Sequence, residues 1–157
     1  MFEESNYLRL AALDRQAAAL RNHFAALLKV KDFIAQFYPT GTLTTMEITK
    51  VDDYNVEATY MNTTVRFQLL ITYNKHDRAT GRVVCLNKNA TFEKVQYDYL
   101  GEFSVDTNGY TNLPEHPQRG ARTISQNGDE IVIAYLDKAV KQGPKWLTEA
   151  VKASASE

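Results

Sequence analysis

Apolar side chains in the first forty residues recur at alternating intervals of three and four, a spacing that places them on one face of a helix. Neither glycine nor proline occurs before Pro39, and the segment is rich in alanine, leucine, arginine and glutamine, which favour helices. We therefore predict one helix over residues 6–37, capped by Ser5 and ended by Pro39 and Gly41. Its regularly spaced apolar residues are here called the heptad row: Leu10, Leu13, Ala17, Leu20, Phe24 and Leu27.

From residue 42 to residue 105 apolar positions alternate with polar ones, the period of a β-strand that has one buried face. β-Branched and aromatic residues fill these runs, and short polar segments separate them. The pattern predicts five strands in a curved antiparallel meander, at residues 43–50, 54–60, 65–73, 82–86 and 95–105.

The pattern is less regular after residue 105. Residues 106–128 contain Asn-Gly pairs and prolines, which are typical of turns and loops. Asn127 followed by Glu130 resembles a helix capping box, and an apolar stripe then favours a helix that ends at Gly143. The stripe consists of Val132, Leu136, Ala139 and Val140. The alternative is a hairpin turning at residues 127–128, with an alternating strand through Ile131, Ile133 and Tyr135.

These elements together predict an α+β protein with one domain over residues 1–152 and a disordered tail over residues 153–157. Pro144 opens a second short C-terminal helix in this prediction. The expected architecture is a long N-terminal helix packed on a curved antiparallel sheet of about five strands, with short C-terminal helices. Its element order resembles that of cystatin-like and nuclear-transport-factor-like folds, a likeness of architecture that no sequence motif accompanies.

Composition and charge narrow the class of protein. The 157 residues are 44% hydrophobic and 24% charged, with a formal net charge of -1, as is typical of a globular protein. Positive and negative residues are evenly spread, which argues against nucleic acid and membrane surfaces as partners. The N-terminus lacks the pattern of a secretory signal, and the single Cys85 agrees with a reducing compartment. We therefore expect a cytoplasmic protein.

Residue types that carry catalysis or bind metals form no known motif in the sequence. The chain lacks a glycine-rich phosphate loop, a paired-cysteine or histidine–glutamate metal motif and a serine nucleophile elbow. We therefore expect no cofactor and no metal, assign no catalytic residue and favour a protein that is not an enzyme. His76 beside Asp77 is the nearest approach to a catalytic pair, but the surrounding residues are equally those of a surface turn.

Tyrosines are frequent on the predicted apolar face of the sheet. Alternation places five of them on the same side as Phe67 and Phe103, namely Tyr54, Tyr60, Tyr73, Tyr97 and Tyr99. A buried tyrosine needs a hydrogen-bond partner, so this face is either an ordinary core with tyrosines at its rim or a partly polar ligand cleft. In the second case the candidate pocket residues are Tyr97, Tyr99, Tyr60, Tyr73, Phe67, Asp98 and His76.

The predicted helix is longer than the predicted sheet is wide. Its 32 residues span about 48 Å, whereas five strands spaced about 4.8 Å apart cover about 24 Å. Part of the heptad row then needs cover from C-terminal helices, from the helix itself after a kink, or from a second copy of the chain. Kinks usually require proline or glycine, which the segment lacks. We therefore predict a homodimer whose interface is the heptad row.

These arguments favour a non-enzymatic protein-interaction module of the adaptor, inhibitor or immunity type. In this hypothesis the N-terminal helix makes the homodimer, and the polar sheet face or residues 106–126 bind a protein partner. The alternative is a small-molecule-binding or catalytic protein with a tyrosine-lined cleft between helix and sheet.

Overall fold

The computed structural model describes residues 3–37, 45–90, 93–113 and 122–143. Within these residues a helical path precedes seven antiparallel strands, which pair in sequence order, and one long helix follows. The elements are α1 (Glu4–Phe24), the 3-10 segment (Ala25–Lys29), α2 (Val30–Phe37), β1 (Glu47–Asp52), β2 (Asn55–Tyr60), β3 (Thr63–Tyr73), β4 (Ala79–Ala90), β5 (Val95–Val105), β6 (Tyr110–Asn112), β7 (Arg122–Thr123) and α3 (Ile124–Gln142).

The α+β class and the antiparallel meander are confirmed, but the predicted number of strands is wrong. The sheet has seven strands because β6 and β7, of three and two residues, extend it beyond β5. Both lie in the region around residues 106–128, whose asparagine, glycine and proline content is typical of turns and loops. Strands this short do not show a repeating alternation, so the sequence pattern does not reveal them.

Residues 124–142 form one long helix, so the helical interpretation of residues 128–142 is confirmed over the hairpin. α3 begins four residues earlier than the sequence suggests, because the capping box pairs Thr123 with Gln126 rather than Asn127 with Glu130. Asn127 is instead buried in the first turns of α3. Gly143 ends the helix as predicted, and its N–H donates a hydrogen bond to the Ala139 carbonyl at 3.0 Å. The second helix predicted after Pro144 and the predicted tail lie outside the described residues.

The core lies between one face of the sheet and the three helices. Phe67 in β3 and Phe103 in β5 both contact the ring of Tyr135 in α3, at centroid distances of 6.1 and 6.4 Å. Cys85 in β4 is fully buried in the same core, as expected for a cysteine on the apolar face of a strand. We call the opposite side of the sheet, which faces away from the helices, the outer face.

The chain itself buries most of the heptad row. Leu13, Ala17, Leu20, Phe24 and Leu27 are buried, whereas Leu10 is 61% exposed. α1 packs on β3 and β4, and α3 contacts the 3-10 segment and α2. The sheet and α3 together therefore cover these residues. The comparison of helix length with sheet width had assigned this cover to a second copy of the chain. The exposed member of the heptad row, Leu10, therefore lies in the first turns of α1.

Polar contacts hold α1 against the turn between β3 and β4. The Arg9 guanidinium donates two hydrogen bonds of 2.9 Å to the Asp77 carboxylate. Gln16 donates to the Asp77 carbonyl at 2.8 Å and accepts from the Ala79 N–H at 2.7 Å. The residues of α1 that precede Arg9 therefore extend beyond the point at which Arg9 holds the helix against this turn.

Candidate functional site

A β-bulge in β5 determines the side of the sheet on which its tyrosines lie. Cys85 pairs with Gly101, but Leu86 pairs with Tyr99, so Leu100 is an extra residue in β5. The alternation is therefore reversed before the bulge, and Tyr97 and Tyr99 lie on the outer face. The sequence prediction that they share the face of Phe67 and Phe103 is wrong, because alternation along one strand does not reveal an inserted residue.

The first group of outer-face side chains centres on Glu57. Arg66 is the direct cross-strand neighbour of Glu57 and donates to its carboxylate at 2.8 and 2.7 Å. Lys88 donates to the same carboxylate at 3.1 Å. Burial opposes ionisation of Glu57 most strongly, but the hydrogen bonds and charges of Arg66 and Lys88 together lower its pKa below the ordinary value. The guanidinium carbon of Arg66 also lies 4.9 Å from the centroid of the Tyr97 ring.

The second group joins Arg82, Tyr99 and Glu102. Arg82 donates from Nη2 to Glu102 Oε1 at 3.1 Å and from Nε to Oε2, and the Tyr99 hydroxyl donates to Oε1 at 2.8 Å. Hydrogen bonds from Arg82 and then Tyr99 lower the pKa of Glu102, and the bond to Glu102 raises the pKa of Tyr99. We call the two groups together the outer-face cluster: Glu57, Arg66, Lys88, Tyr97, Arg82, Tyr99 and Glu102. Tyr97 and Tyr99 remain 39% and 59% exposed.

The residues of the sequence-predicted tyrosine pocket do not meet in one cleft. Phe67 is fully buried among the helices, on the opposite side of the sheet from Tyr97 and Tyr99. Tyr60 lies beside α3. The Tyr73 hydroxyl donates to the Leu13 carbonyl at 3.4 Å and therefore helps to hold α1 on the sheet.

The predicted histidine–aspartate pair has a structural role in the turn between β3 and β4. His76 is exposed, and its backbone N–H donates to the Asn74 side chain at 2.8 Å. The neighbouring Asp77 carboxylate binds Arg9 rather than the imidazole, and its pKa is lowered first by the hydrogen bond from Arg9. The two residues are not arranged as a base and its orienting carboxylate.

Two asparagines that are not among the predicted site residues are buried on the helix-facing side of the sheet. Asn87 and Asn89 lie in the second half of β4, and the Asn89 amide donates to the Asp98 carboxylate at 2.6 Å. Nearby, Lys138 of α3 donates to the Leu100 carbonyl at 2.6 Å. Continued alternation after Val83 and Cys85 indicates both asparagines, but the predicted strand ends at residue 86.

Among the surface concavities that the described residues form, two adjoin the helices. The first, here called the helix–hairpin cleft, has a volume of about 170 Å³ and lies between the end of α1 and the hairpin of β1 and β2. Its lining residues are Arg21, Asn22, Phe24, Ala25, Leu28, Lys50, Asp52, Asp53 and Val56. The second is a mostly apolar groove of about 210 Å³, lined by Tyr60, Ile133, Leu136, Asp137 and Val140.

The fold is thus a two-layer α+β architecture in which three helices cover one face of a seven-stranded meander. The chain matches no family model, no curated protein and no solved structure. Among the described residues no group of three or more histidine, cysteine, aspartate or glutamate side chains is placed to hold a metal ion. None of the helices in that part of the chain has the length and apolar character that a membrane span requires.

Proposed function

We propose that this chain is a non-enzymatic protein-interaction module that binds a partner protein through the outer-face cluster. The supporting observation is the outward position of Tyr97 and Tyr99, which a β-bulge places on the side of the sheet that faces away from the described helices. Arg66 contacts the ring of Tyr97, and Glu102 accepts a hydrogen bond from Tyr99, so both aromatic side chains are held in defined conformations.

Tyrosine and arginine contribute most of the binding energy in many protein interfaces, because each buries a large area and also forms hydrogen bonds. Side chains that are already fixed lose less conformational entropy when a partner covers them. The surrounding Glu57, Lys88 and Arg82 carry charges of both signs, which favours a partner with a complementary charge pattern and disfavours others. The cluster therefore combines affinity and selectivity on one surface.

The test is capture of a partner by immobilised protein, its identification and purification, and titration calorimetry with matched variants. We expect the double substitution Tyr97→Ala with Tyr99→Ala to raise the Kd at least about 30-fold, which corresponds to about 2 kcal/mol. Tyr110→Ala removes an exposed tyrosine of β6, outside the cluster, and should change the Kd by less than about threefold. A partner that binds the double variant as tightly as the wild type would exclude this surface.

Self-association through the N-terminal helix forms the second part of the proposal. Tyr7, Leu8 and Leu10 are 57%, 58% and 61% exposed on the first turns of α1, next to the anchoring residue Arg9. Because the later heptad-row residues belong to the core, a homodimer interface on this helix would be centred on these three side chains. Covering them with a second copy would remove an exposed apolar patch from water.

Light scattering after size-exclusion chromatography measures this self-association directly. We expect a dimer for the wild type, and a monomer of unchanged circular dichroism for Leu8→Glu with Leu10→Glu. Arg15→Glu, which also adds negative charge on an exposed position of α1 but outside the patch, should remain dimeric. A wild-type protein that is monomeric at high micromolar concentration would contradict the homodimer.

A further inference from the structure

The helix–hairpin cleft has an apolar floor and a row of side chains along one side. Phe24 and Val56 are buried beneath it. Arg21, Ala25 and Leu28 line it from the N-terminal helical path, and their spacing of four and three residues places them in one row along the helix. The row therefore presents a guanidinium group at one end and apolar side chains after it.

The strand register determines which charged side chains of the hairpin face this cleft. Lys50 of β1 is paired with Val56, whose side chain is buried on the helix side of the sheet, so Lys50 lies on that side as well. The Asp52 carboxylate accepts a hydrogen bond from the Asn55 amide at 3.0 Å. Asn55 and Glu57 flank Val56 in β2, so both lie on the outer face. The Asp52 carboxylate is therefore directed to the outer face, away from the cleft.

The charges that remain on the cleft side do not cancel. Lys50 forms an ion pair of 2.9 Å with Asp53, so these two side chains neutralise each other. Arg21 forms no ion pair within the described part of the chain. Its Nη1 donates to the Tyr54 hydroxyl at 3.1 Å, and its guanidinium carbon lies 5.8 Å from the centroid of the Tyr54 ring. Tyr54 thus holds Arg21 without neutralising it, and the cleft keeps an uncompensated positive charge.

The free donors of Arg21 suit a carboxylate. The contact with Tyr54 uses one of the five guanidinium N–H groups. A guanidinium group binds a carboxylate through two parallel hydrogen bonds, for which the remaining donors suffice. The neighbouring Asn22 also lines the cleft and adds an amide donor. Because Ala25 and Leu28 continue the row from this point, the rest of a ligand bound there meets apolar surface.

We propose that the helix–hairpin cleft binds a small carboxylic acid with a short apolar chain. Arg21 binds the carboxylate, and Ala25, Leu28 and the apolar floor contact the chain. The cleft volume of about 170 Å³ limits the length of the chain, because an apolar cavity of about 150 Å³ holds benzene. The volume is below the range of about 300–1,000 Å³ that is typical of sites for larger ligands. An acid with as many carbon atoms as benzene, such as 4-methylpentanoate, therefore matches both the charge and the size of the cleft.

Titration of isotope-labelled protein, followed through its amide chemical shifts by nuclear magnetic resonance, measures the Kd and locates the site. We expect 4-methylpentanoate to bind at least about tenfold more tightly than 4-methylpentan-1-ol, which lacks the charge, and than acetate, which lacks the apolar chain. The largest shift changes should fall on the amides of Asn22, Ala25 and Lys50. Absence of binding at millimolar concentrations, equal binding of acid and alcohol, or shift changes centred elsewhere would overturn the proposal.

A carboxylate beside an apolar side chain also occurs at the C-terminus of a protein chain. N-acetylleucine separates the two sources, because its amide group stands for the last peptide bond of such a chain. We expect it to bind at least about threefold more weakly than 4-methylpentanoate, since the cleft is too small to enclose the additional group. Binding of N-acetylleucine as tight as that of 4-methylpentanoate, or tighter, would favour a protein C-terminus and overturn the free acid as ligand.

Variants assign the carboxylate to Arg21. Arg21→Gln should weaken 4-methylpentanoate at least about tenfold. Ala25→Glu places a carboxylate one helical turn after Arg21, at an exposed position, and should weaken it similarly by pairing with the guanidinium group. Arg15→Gln removes the same charge from an exposed position of α1 outside the cleft and should bind the acid as the wild type does. Equal effects of Arg21→Gln and Arg15→Gln on the Kd would overturn the assignment, and an unchanged Kd for Ala25→Glu would do so even where Arg21→Gln fails to fold.

Discussion

The guanidinium carbon of Arg66 lies 4.9 Å from the centroid of the Tyr97 ring, although β4 separates the two strands that carry these residues. Arg66 pairs with Leu86 and Tyr97 pairs with Lys88, so both side chains stand on the outer side of β4. The contact and the strand register therefore both indicate that the tyrosines in the first half of β5 lie on the outer face.

Alanine substitutions in β5 test this register. Phe103→Ala removes a buried core side chain and should lower the free energy of unfolding by about 3–5 kcal/mol. Tyr97→Ala removes a half-exposed ring with one cation–π contact and should cost no more than about 1 kcal/mol. Urea unfolding of both variants measures the difference. Equal losses would mean that Tyr97 points into the core and that the bulge at Leu100 is absent.

The regular elements could be predicted from the sequence because their hydrophobic periods are long and uninterrupted. The spacing of Leu13, Ala17 and Leu20 predicts the face of α1 that the structure buries, and the stripe through Val132 and Leu136 predicts α3. The burial of these residues against the same chain could not be predicted, since the pattern identifies an apolar face without identifying the element that covers it.

The candidate site depends on features that are local and irregular. Leu100 alone reverses the direction of Tyr97 and Tyr99, and a single inserted residue leaves no periodic signal in a strand that is apolar on both sides of it. The helix–hairpin cleft joins Arg21 to Lys50 and Asp53, which are far from it in sequence, through the packing of α1 on the hairpin. Only the tertiary structure shows that residues so far apart in sequence lie close together.

The start of α3 can be tested through its capping box. Thr123 accepts a hydrogen bond from the Gln126 N–H, and the Gln126 side chain accepts one from the Thr123 N–H. Thr123→Ala should lower the free energy of unfolding by about 1 kcal/mol, because it leaves a helix-terminal N–H without its partner. Ser125→Ala, at an exposed position within the first turn of the helix, should change it by less than about 0.5 kcal/mol. A larger loss for Ser125→Ala would contradict this helix boundary.

Gly128 lets α3 approach the N-terminal helical path closely. A Cβ atom at residue 128 would lie 2.9 Å from Cγ2 of Val30, closer than carbon atoms tolerate. Alanine normally stabilises a helix by about 1 kcal/mol relative to glycine, but overpacking costs about 1–3 kcal/mol. Gly128→Ala should therefore destabilise the wild-type protein by about 1 kcal/mol, as measured by urea unfolding.

The same substitution should have the opposite sign when Val30 is shortened. In a Val30→Ala background the clashing methyl group is absent, so Gly128→Ala retains its helix preference and should stabilise the protein by about 0.5–1 kcal/mol. The four proteins form a double-mutant cycle. A stabilising effect in both backgrounds would show that α3 and Val30 are further apart than this packing requires.

The ion pairs of Glu57 should make stability depend on pH in the acid range. Burial opposes its ionisation, but Arg66 and Lys88 outweigh that influence, so its pKa in the folded protein is below the ordinary value of 4.5. A carboxyl group with a lowered folded pKa stabilises the protein fully above its unfolded pKa, and this contribution is lost as the pH falls through the folded value. Stability due to Glu57 should thus be constant near pH 7 and decline below about pH 4.5.

Glu57→Gln should therefore lower the urea midpoint at pH 7, because Arg66 and Lys88 lose the charge that they both contact. The difference from wild type should narrow steadily below about pH 4.5, where the wild-type carboxylate becomes protonated and neutral like the amide. Glu93→Gln removes the same charge from an exposed position just before β5, and its effect should be small at every pH. A Glu57→Gln difference that stays constant from pH 7 to pH 3 would mean that the outer-face cluster does not stabilise the charged form of this residue.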